Sequence, residues 1–212
     1  MVGDDVMANP IQAIRNVYDI VKGVRDNEKP LTDEEINYLL EKTVSDKSLI
    51  SKYPRFEKGY AAEDLFMRIF SLLPWVKSVV PLGQEQFPEK SKETLQISDY
   101  EITFEVGSEE NTSCILVEVK LVDGDKQTYE LQKYKYEVLK EYSTQKKEPL
   151  LFALFWKKQR TWTVNSIESF TEKSSSYKIS YKNAFMDDLS AIFGDYTYLF
   201  QKQCYRKSIF SN

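Results

Sequence analysis

Apolar residues recur at helical spacing in the first third of the chain and at alternate positions in the middle third. Ile11, Ile14, Val17, Tyr18 and Val21 share one face of a helix predicted over residues 10–26. "LTDEEINYLLEKTV" repeats the pattern, with Thr32 placed as a cap and Glu35 three residues later. Both helices precede Pro54 and read as an N-terminal helical extension without visible chemistry, suited to packing or to a protein partner. "RFEKGYAAEDLFMRIFSLLPW" predicts a stronger helix ended by Pro74. Its apolar stripe is Ala62, Leu65, Phe66, Ile69, Leu72 and Leu73, with Asp64, Arg68 and Ser71 opposite. Glu63 falls at the border of the stripe beside Phe70, and Glu57 lies on the polar side.

The period then changes to two. "VKSVVPLGQEQFP" predicts a short strand and a loop. Tyr100, Ile102, Phe104 and Val106 alternate with Glu101, Thr103 and Glu105, the mark of a half-buried strand. "GSEEN" is read as the turn and "CILVEVKLV" as the returning central strand. "TYELQKYKYEVLKEY" is expected as one helix, "PLLFALFW" as a buried strand, "RTWTV" as a shorter strand, "SSS" as a loop and "AFMDDLSAIFG" as a helix closing on Gly194. Helix, antiparallel strands, helix and strand in this order predict an α/β fold, an αβα sandwich with a mixed central sheet. The expected organisation is an N-terminal helical extension over 1–53, a core over 54–170 and a C-terminal extension over 171–212 that packs on the core.

The 212 residues suffice for one real core, and 14% aromatic content with few Gly and Pro marks a folded chain. No stretch has the length and apolarity of a membrane span or of a signal peptide, so a cytoplasmic protein is expected. Cys114 and Cys204 are too few for a zinc or iron–sulfur site and are expected as small buried residues. There is no histidine. That excludes Ser-His-Asp and Cys-His catalysis and leaves acids, lysines, tyrosines and water; oxygen-only ligation favours Mg²⁺ or Mn²⁺. Net charge is −4, but residues 120–160 hold ten Lys or Arg against six Asp or Glu. This segment can present a basic face to a polyanion, or its lysines can simply solvate the surface.

One apolar strand carries charge: "CILVEVK" ends with Glu118 and Lys120 on one face. With the turn at 107–112, Val106 faces Ser113, Asp99 faces Lys120 and Glu101 faces Glu118. Asp99, Glu118 and Lys120 then converge at the open end of one hairpin, with Glu101 as the alternative to Asp99 if the register slips. Two carboxylates in one small site repel each other unless a cation lies between them. A divalent ion there would bind Asp99, Glu118 and the backbone carbonyl of Val119, and Lys120 could orient water or neutralise charge on a phosphate. The plainer reading is a cross-strand Lys–Glu pair on a solvated face.

"EKGYAAEDLF", "SDYEITFEV", "CILVEVK" and "LQKYKYEVL", in this order, resemble the PD-(D/E)xK, or restriction-endonuclease-like, nucleases over about residues 56–156. "KGYAAE" is similar to the first helix of the archaeal Holliday-junction resolvase branch, and Gln132 and Tyr136 are spaced like the QxxxY element of the RecB-type branch. The resemblance implies a restriction-endonuclease-like sandwich. It also implies Asp99 and Glu118 as metal ligands, Lys120 as catalytic lysine, and Glu63 as a helix carboxylate supporting the metal through water. Gln132 and Tyr136 would help place substrate. Ser98 stands where the motif name has proline, and the cysteines that hold an iron–sulfur cluster in some relatives are missing.

These readings lead to a Mg²⁺- or Mn²⁺-dependent DNA nuclease for repair, recombination or restriction, with Lys126, Lys133 and Lys135 toward DNA phosphates. The alternative is a non-catalytic DNA-binding or assembly module that keeps the fold, in line with the acidic net charge. The DNA structure cut, endo- or exonuclease action and homodimer formation stay open at this level.

Overall fold

The computed structural model describes residues 10–27, 29–83, 91 and 93–194. Cys204 and the last part of the expected C-terminal extension fall outside the described residues. A five-stranded sheet runs in the order β1 (Val76–Pro81), β2 (Tyr100–Val106), β3 (Ser108–Val122), β5 (Leu150–Trp156), β6 (Thr161–Asn165). β3 and β5 are parallel, and every other neighbouring pair is antiparallel. This is the mixed sheet that the alternation predicts. Helix α4 (Tyr53–Phe70) lies on one face of the sheet and α5 (Lys133–Lys146) on the other, giving the αβα layering.

Period-two alternation decides which strand residues meet which helix. Phe66 and Phe70 of α4 pack on Tyr100, Ile102, Phe104, Val117 and Val119. On the opposite face Leu139 of α5 packs with Val122, Phe152, Leu154 and Trp156. The α5 face is completed by a second, antiparallel sheet in the order β4 (Thr128–Gln132), β8 (Ser176–Ser180), β7 (Thr171–Glu172), which contributes Leu131 and Ile179 to that core. Thr171–Glu172 and Ser176–Ser180, expected at the head of the C-terminal extension, are thus strands of this sheet. Helices α1 (Pro10–Asn27), α2 (Asp33–Thr43) and the short α3 (Lys47–Ile50) form a third apolar cluster with the start of α4 through Ala13, Ile14, Val17, Leu40 and Tyr53. Thr32 caps α2 in a reciprocal capping box with Glu35. No helix among the described residues is long and apolar enough to cross a membrane.

Six expectations are corrected. The hairpin register is displaced by two residues: Gly107, at φ 74°, turns the chain so tightly that Val106 faces Ser108, an irregularity between Glu105 and Val106 then sets Glu105 opposite Thr112, and Phe104 rather than Val106 lies opposite Ser113. Thr128–Gln132 is a strand, not the first turn of a helix, because its backbone pairs with β8 and its alternate Tyr129 and Leu131 enter the core. α4 stops at Phe70, since Pro74 disfavours helix at the residue before it; Leu72 is left 77% exposed. On the same helix Asp64, expected in solvent, is 7% exposed because α1 covers it. The helix expected over "AFMDDLSAIFG" is split into α6 (Tyr181–Met186) and a 3₁₀ turn over Ser190–Phe193. Asp188 causes the break: its carboxylate accepts the N–H groups of Val164 and Ser190 and so ties the chain to β6. Cys114 is half-buried rather than buried.

Phe193 is fully buried between Phe70 and Phe104, edge-on to both at 5.4 and 5.5 Å. Gly194 follows at φ 110°, where a Cβ would come 2.8 Å from the Pro74 ring. The last described turn is therefore a plug for the α4 face. Phe193→Ala should cost about 3–5 kcal/mol in urea unfolding, the range for emptying a buried aromatic site. A loss under about 1 kcal/mol would show that the turn is not part of the core.

Candidate active site

β3 is buried along its second half, and the charges it carries there are forced into one another's company. Tyr100 pairs with Val117, so Asp99, one step further on, comes beside Glu118. Asp99 sits in the bend before β2, and its backbone carbonyl accepts the Leu82 N–H at 2.9 Å. Its Oδ2 accepts the Val119 N–H at 2.7 Å, which locks the carboxylate across the end of the hairpin. Glu118 is 2% exposed, and Lys120 Nζ lies 2.6 Å from its Oε1. The same ammonium donates to the Val119 carbonyl at 2.9 Å and lies 3.5 Å from Asp99 Oδ2. Three oxygens, two from carboxylates and one from the backbone, thus gather about a single cation.

This crowding shows in the ionisation of each group. Burial first and the nearby Asp99 second push the Glu118 carboxyl up to about 7, against the pull of Lys120. Burial alone would lower Lys120, but Asp99 and Glu118 outweigh it and hold the ammonium well above its ordinary value. Glu118 Oε2 is buried and has no hydrogen-bond partner among the described residues. An unpartnered buried carboxylate oxygen is costly, and it is a free lone-pair site for a cation.

Glu63, on α4, joins the same group from across the sheet end. Its side chain is 18% exposed and takes Arg15 Nη1 of α1 at 2.7 Å. Burial and then Asp99 push its carboxyl up to about 8, more strongly than Lys120 and Arg15 pull it down. Glu63 and Asp99 both line a cavity of about 430 Å³ whose further wall is α1, with Arg15 and Asp19, and whose rim is Leu82 and Gly83. Among the described residues no three acidic or cysteine side chains gather closely enough to hold a metal alone. A metal here would depend on the Asp99 and Glu118 carboxylates together with the Val119 carbonyl. That all-oxygen set, already built around a positive charge and with a spare oxygen on Glu118, fits a hard divalent ion.

Asp99, Glu118, Val119, Lys120 and Glu63 are therefore brought together. Glu101, the alternative to Asp99, faces Leu116 and lies further from the site end. Gln132 is exposed at the start of α5, and Tyr136 packs in the core against Phe152, the β5 neighbour of Glu118. Lys126 and Lys135 are exposed, whereas Lys133 is paired with Glu172 at 2.5 Å. Two residues that sequence reasoning passed over approach the site. Tyr129 of β4 feels Lys120, Glu118 and Asp99, and burial pushes its phenol up to about 12 against the Lys120 charge. Arg15 arrives from the extension that was read as free of chemistry. Tyr129 was hidden in a segment read as helix, and a pair 48 residues apart, such as Arg15 with Glu63, leaves no local pattern.

A carboxyl held near 8 when folded and 4.5 when unfolded binds its proton more tightly in the native state between those values. Across that window stability falls as pH rises, because the unfolded chain has already released the proton. In chelator, the urea midpoint of wild type should therefore decline from pH 5 to 8 relative to Glu63→Gln, which cannot titrate. Parallel pH profiles for the two proteins would contradict this assignment of Glu63.

No protein-family model matches the chain, and no curated protein does. Among solved structures the chain is similar to Archaeoglobus fulgidus Hjc, a Holliday junction resolvase from an archaeal hyperthermophile, with 14% identity and a TM-score of 0.48 over 66% of this chain and 99% of that one.

Proposed function

We propose that the protein is a metal-dependent DNA nuclease that hydrolyses phosphodiester bonds in repair, recombination or restriction. The observation that carries this reading is the convergence of Asp99, Glu118 and the Val119 carbonyl on one cation at the open end of a core strand. Mg²⁺ or Mn²⁺ held by these oxygens would supply Lewis-acid stabilisation of the phosphate when bound. The chain's own residues divide the remaining work. Asp99 is fixed by the Val119 N–H and Glu118 by the strand, so neither carboxylate needs to reorganise. Lys120, freed from these oxygens, is a positive donor that can orient the attacking water and neutralise charge developing on the phosphate. Glu63 faces the same space and can accept a hydrogen bond from a water opposite Asp99. Lys126 and Lys135, exposed beyond β3 and on α5, are suited to contacts with the DNA backbone. Gln132 and Tyr136 remain candidates for placing substrate by resemblance alone.

A second reading has one observation in its favour. Lys120 already contacts both carboxylates, so the pair holds a cation without any metal, as in a module that binds DNA and does not cut it. The two differ in a cleavage assay on labelled linear, single-stranded and four-way-junction DNA in Mg²⁺ and in Mn²⁺. The nuclease reading predicts metal-dependent cleavage of at least one substrate. Lys120→Ala should lower the single-turnover rate on the order of 10² or more, comparable to losing one positioned electrostatic group. Glu118→Gln should lose cleavage as well, with far-ultraviolet dichroism unchanged in both variants. Binding without cleavage in either metal would favour the second reading.

A further inference from the structure

The N-terminal extension reaches the candidate site through one side chain. Arg15 lies 2.7 Å from Glu63 Oε2, 3.3 Å from Asp19 Oδ1 and 3.5 Å from Asp64 Oδ1. Its guanidinium is stacked over the Tyr60 ring at 4.6 Å and stands 5.5 Å from the Tyr18 ring. Five donors in a rigid fork allow one arginine to serve several carboxylates at once, which an ammonium on a flexible stem does less well. Other contacts of α1 with α4 leave Glu63 alone: Lys22 at 2.6 Å and the Tyr18 hydroxyl at 2.7 Å both go to Asp64 Oδ2, Asp26 lies 3.9 Å from Arg68, and the two helices share an apolar cluster. Asp64 is the anchor of α1, whereas Glu63 is the residue turned toward Asp99 and the cavity. Without Arg15, the Glu63 carboxyl would stand beside Asp99 with no direct side-chain partner among the described residues, and nothing would fix its orientation toward the cavity.

We infer that Arg15 is a positioning residue of the active site: it holds the Glu63 carboxylate in place opposite Asp99, so that the N-terminal helix completes the catalytic constellation. This rests on the nuclease reading for its kinetic consequence and on the Arg15–Glu63 geometry for its structural one. A carboxylate displaced by about 1 Å is enough to cost up to roughly 10²-fold in rate.

The test uses the full chain and five variants: Arg15→Ala, Arg15→Lys, Glu63→Ala, the Arg15→Ala/Glu63→Ala double variant, and Lys22→Ala. Lys22→Ala loosens α1 without touching Glu63. On whichever DNA the wild type cuts, Arg15→Ala should slow single-turnover cleavage by roughly 10- to 100-fold. Arg15→Lys should recover part of that loss, and Lys22→Ala should stay within about twofold of wild type. The double variant should be no slower than Glu63→Ala, since the two residues act through one carboxylate. A multiplicative loss in the double variant, or an equal loss in Lys22→Ala, would overturn the inference and leave Arg15 as a helix anchor. If the wild type cuts no DNA, the nuclease reading fails by itself and the positioning claim is decided by a crystal structure of Arg15→Ala. Glu63 turned away from Asp99 would uphold the claim; Glu63 unmoved would refute it.

Discussion

Asp99 and Glu118 are buried in the end of an apolar sheet, and they can stay there only because a cation lies between them. Removing two carboxylates from water is expensive, and the attraction of a single ammonium offsets it only with good geometry and additional hydrogen bonds. The Val119 N–H supplies one to Asp99, and Lys120 supplies the charge. The balance is incomplete, because Glu118 Oε2 has no partner among the described residues. The defect lies at the end of the β2–β3 pairing, where the sheet is covered by α4 on one face and by α5 and the second sheet on the other.

The surrounding elements can be understood from this constraint. α4 turns Phe66 and Phe70 into the core, and the same helical turn sets Glu63 at the sheet end beside Asp99. α1 covers the side of α4 that would otherwise expose Asp64, and brings a guanidinium that binds both Glu63 and Asp64. β4 and β8 close the opposite face and bring Tyr129 within electrostatic reach of Lys120. Glu63 and Asp99 are thereby each met by a cation from a different element, and Glu118 by Lys120 of its own strand. The site charge is balanced by tertiary contacts to Asp99 and Glu63 together with the Glu118–Lys120 pair within β3.

Much of this frame was legible in the amino-acid order. The alternation of Tyr100, Ile102, Phe104 and Val106 and the charged end of "CILVEVK" gave the central hairpin and its two unusual strand residues, and the αβα layering followed from the flanking helices. The register did not follow, because composition does not distinguish a six-residue turn from a tight turn at Gly107 with a bulge between Glu105 and Val106, and the two differ by two residues in pairing. Asp64 looked exposed since a helical wheel knows only one partner surface, and α4 has two. Thr128–Gln132 passed for helix because the strand runs into α5 at Lys133 with no glycine or proline between them. Arg15 was invisible for a more general reason: a long-range ion pair has no period and no motif.

The central claim is that the oxygens now gathered about the Lys120 ammonium form a divalent-cation site. A crystal soaked in Mn²⁺ tests it directly through the anomalous signal of the metal. The account predicts one peak between the Asp99 and Glu118 carboxylates and the Val119 carbonyl, at about 2.0–2.3 Å from each, with Lys120 Nζ displaced from its present position. Density showing Lys120 still among those oxygens, with no anomalous peak there at millimolar Mn²⁺, would contradict it.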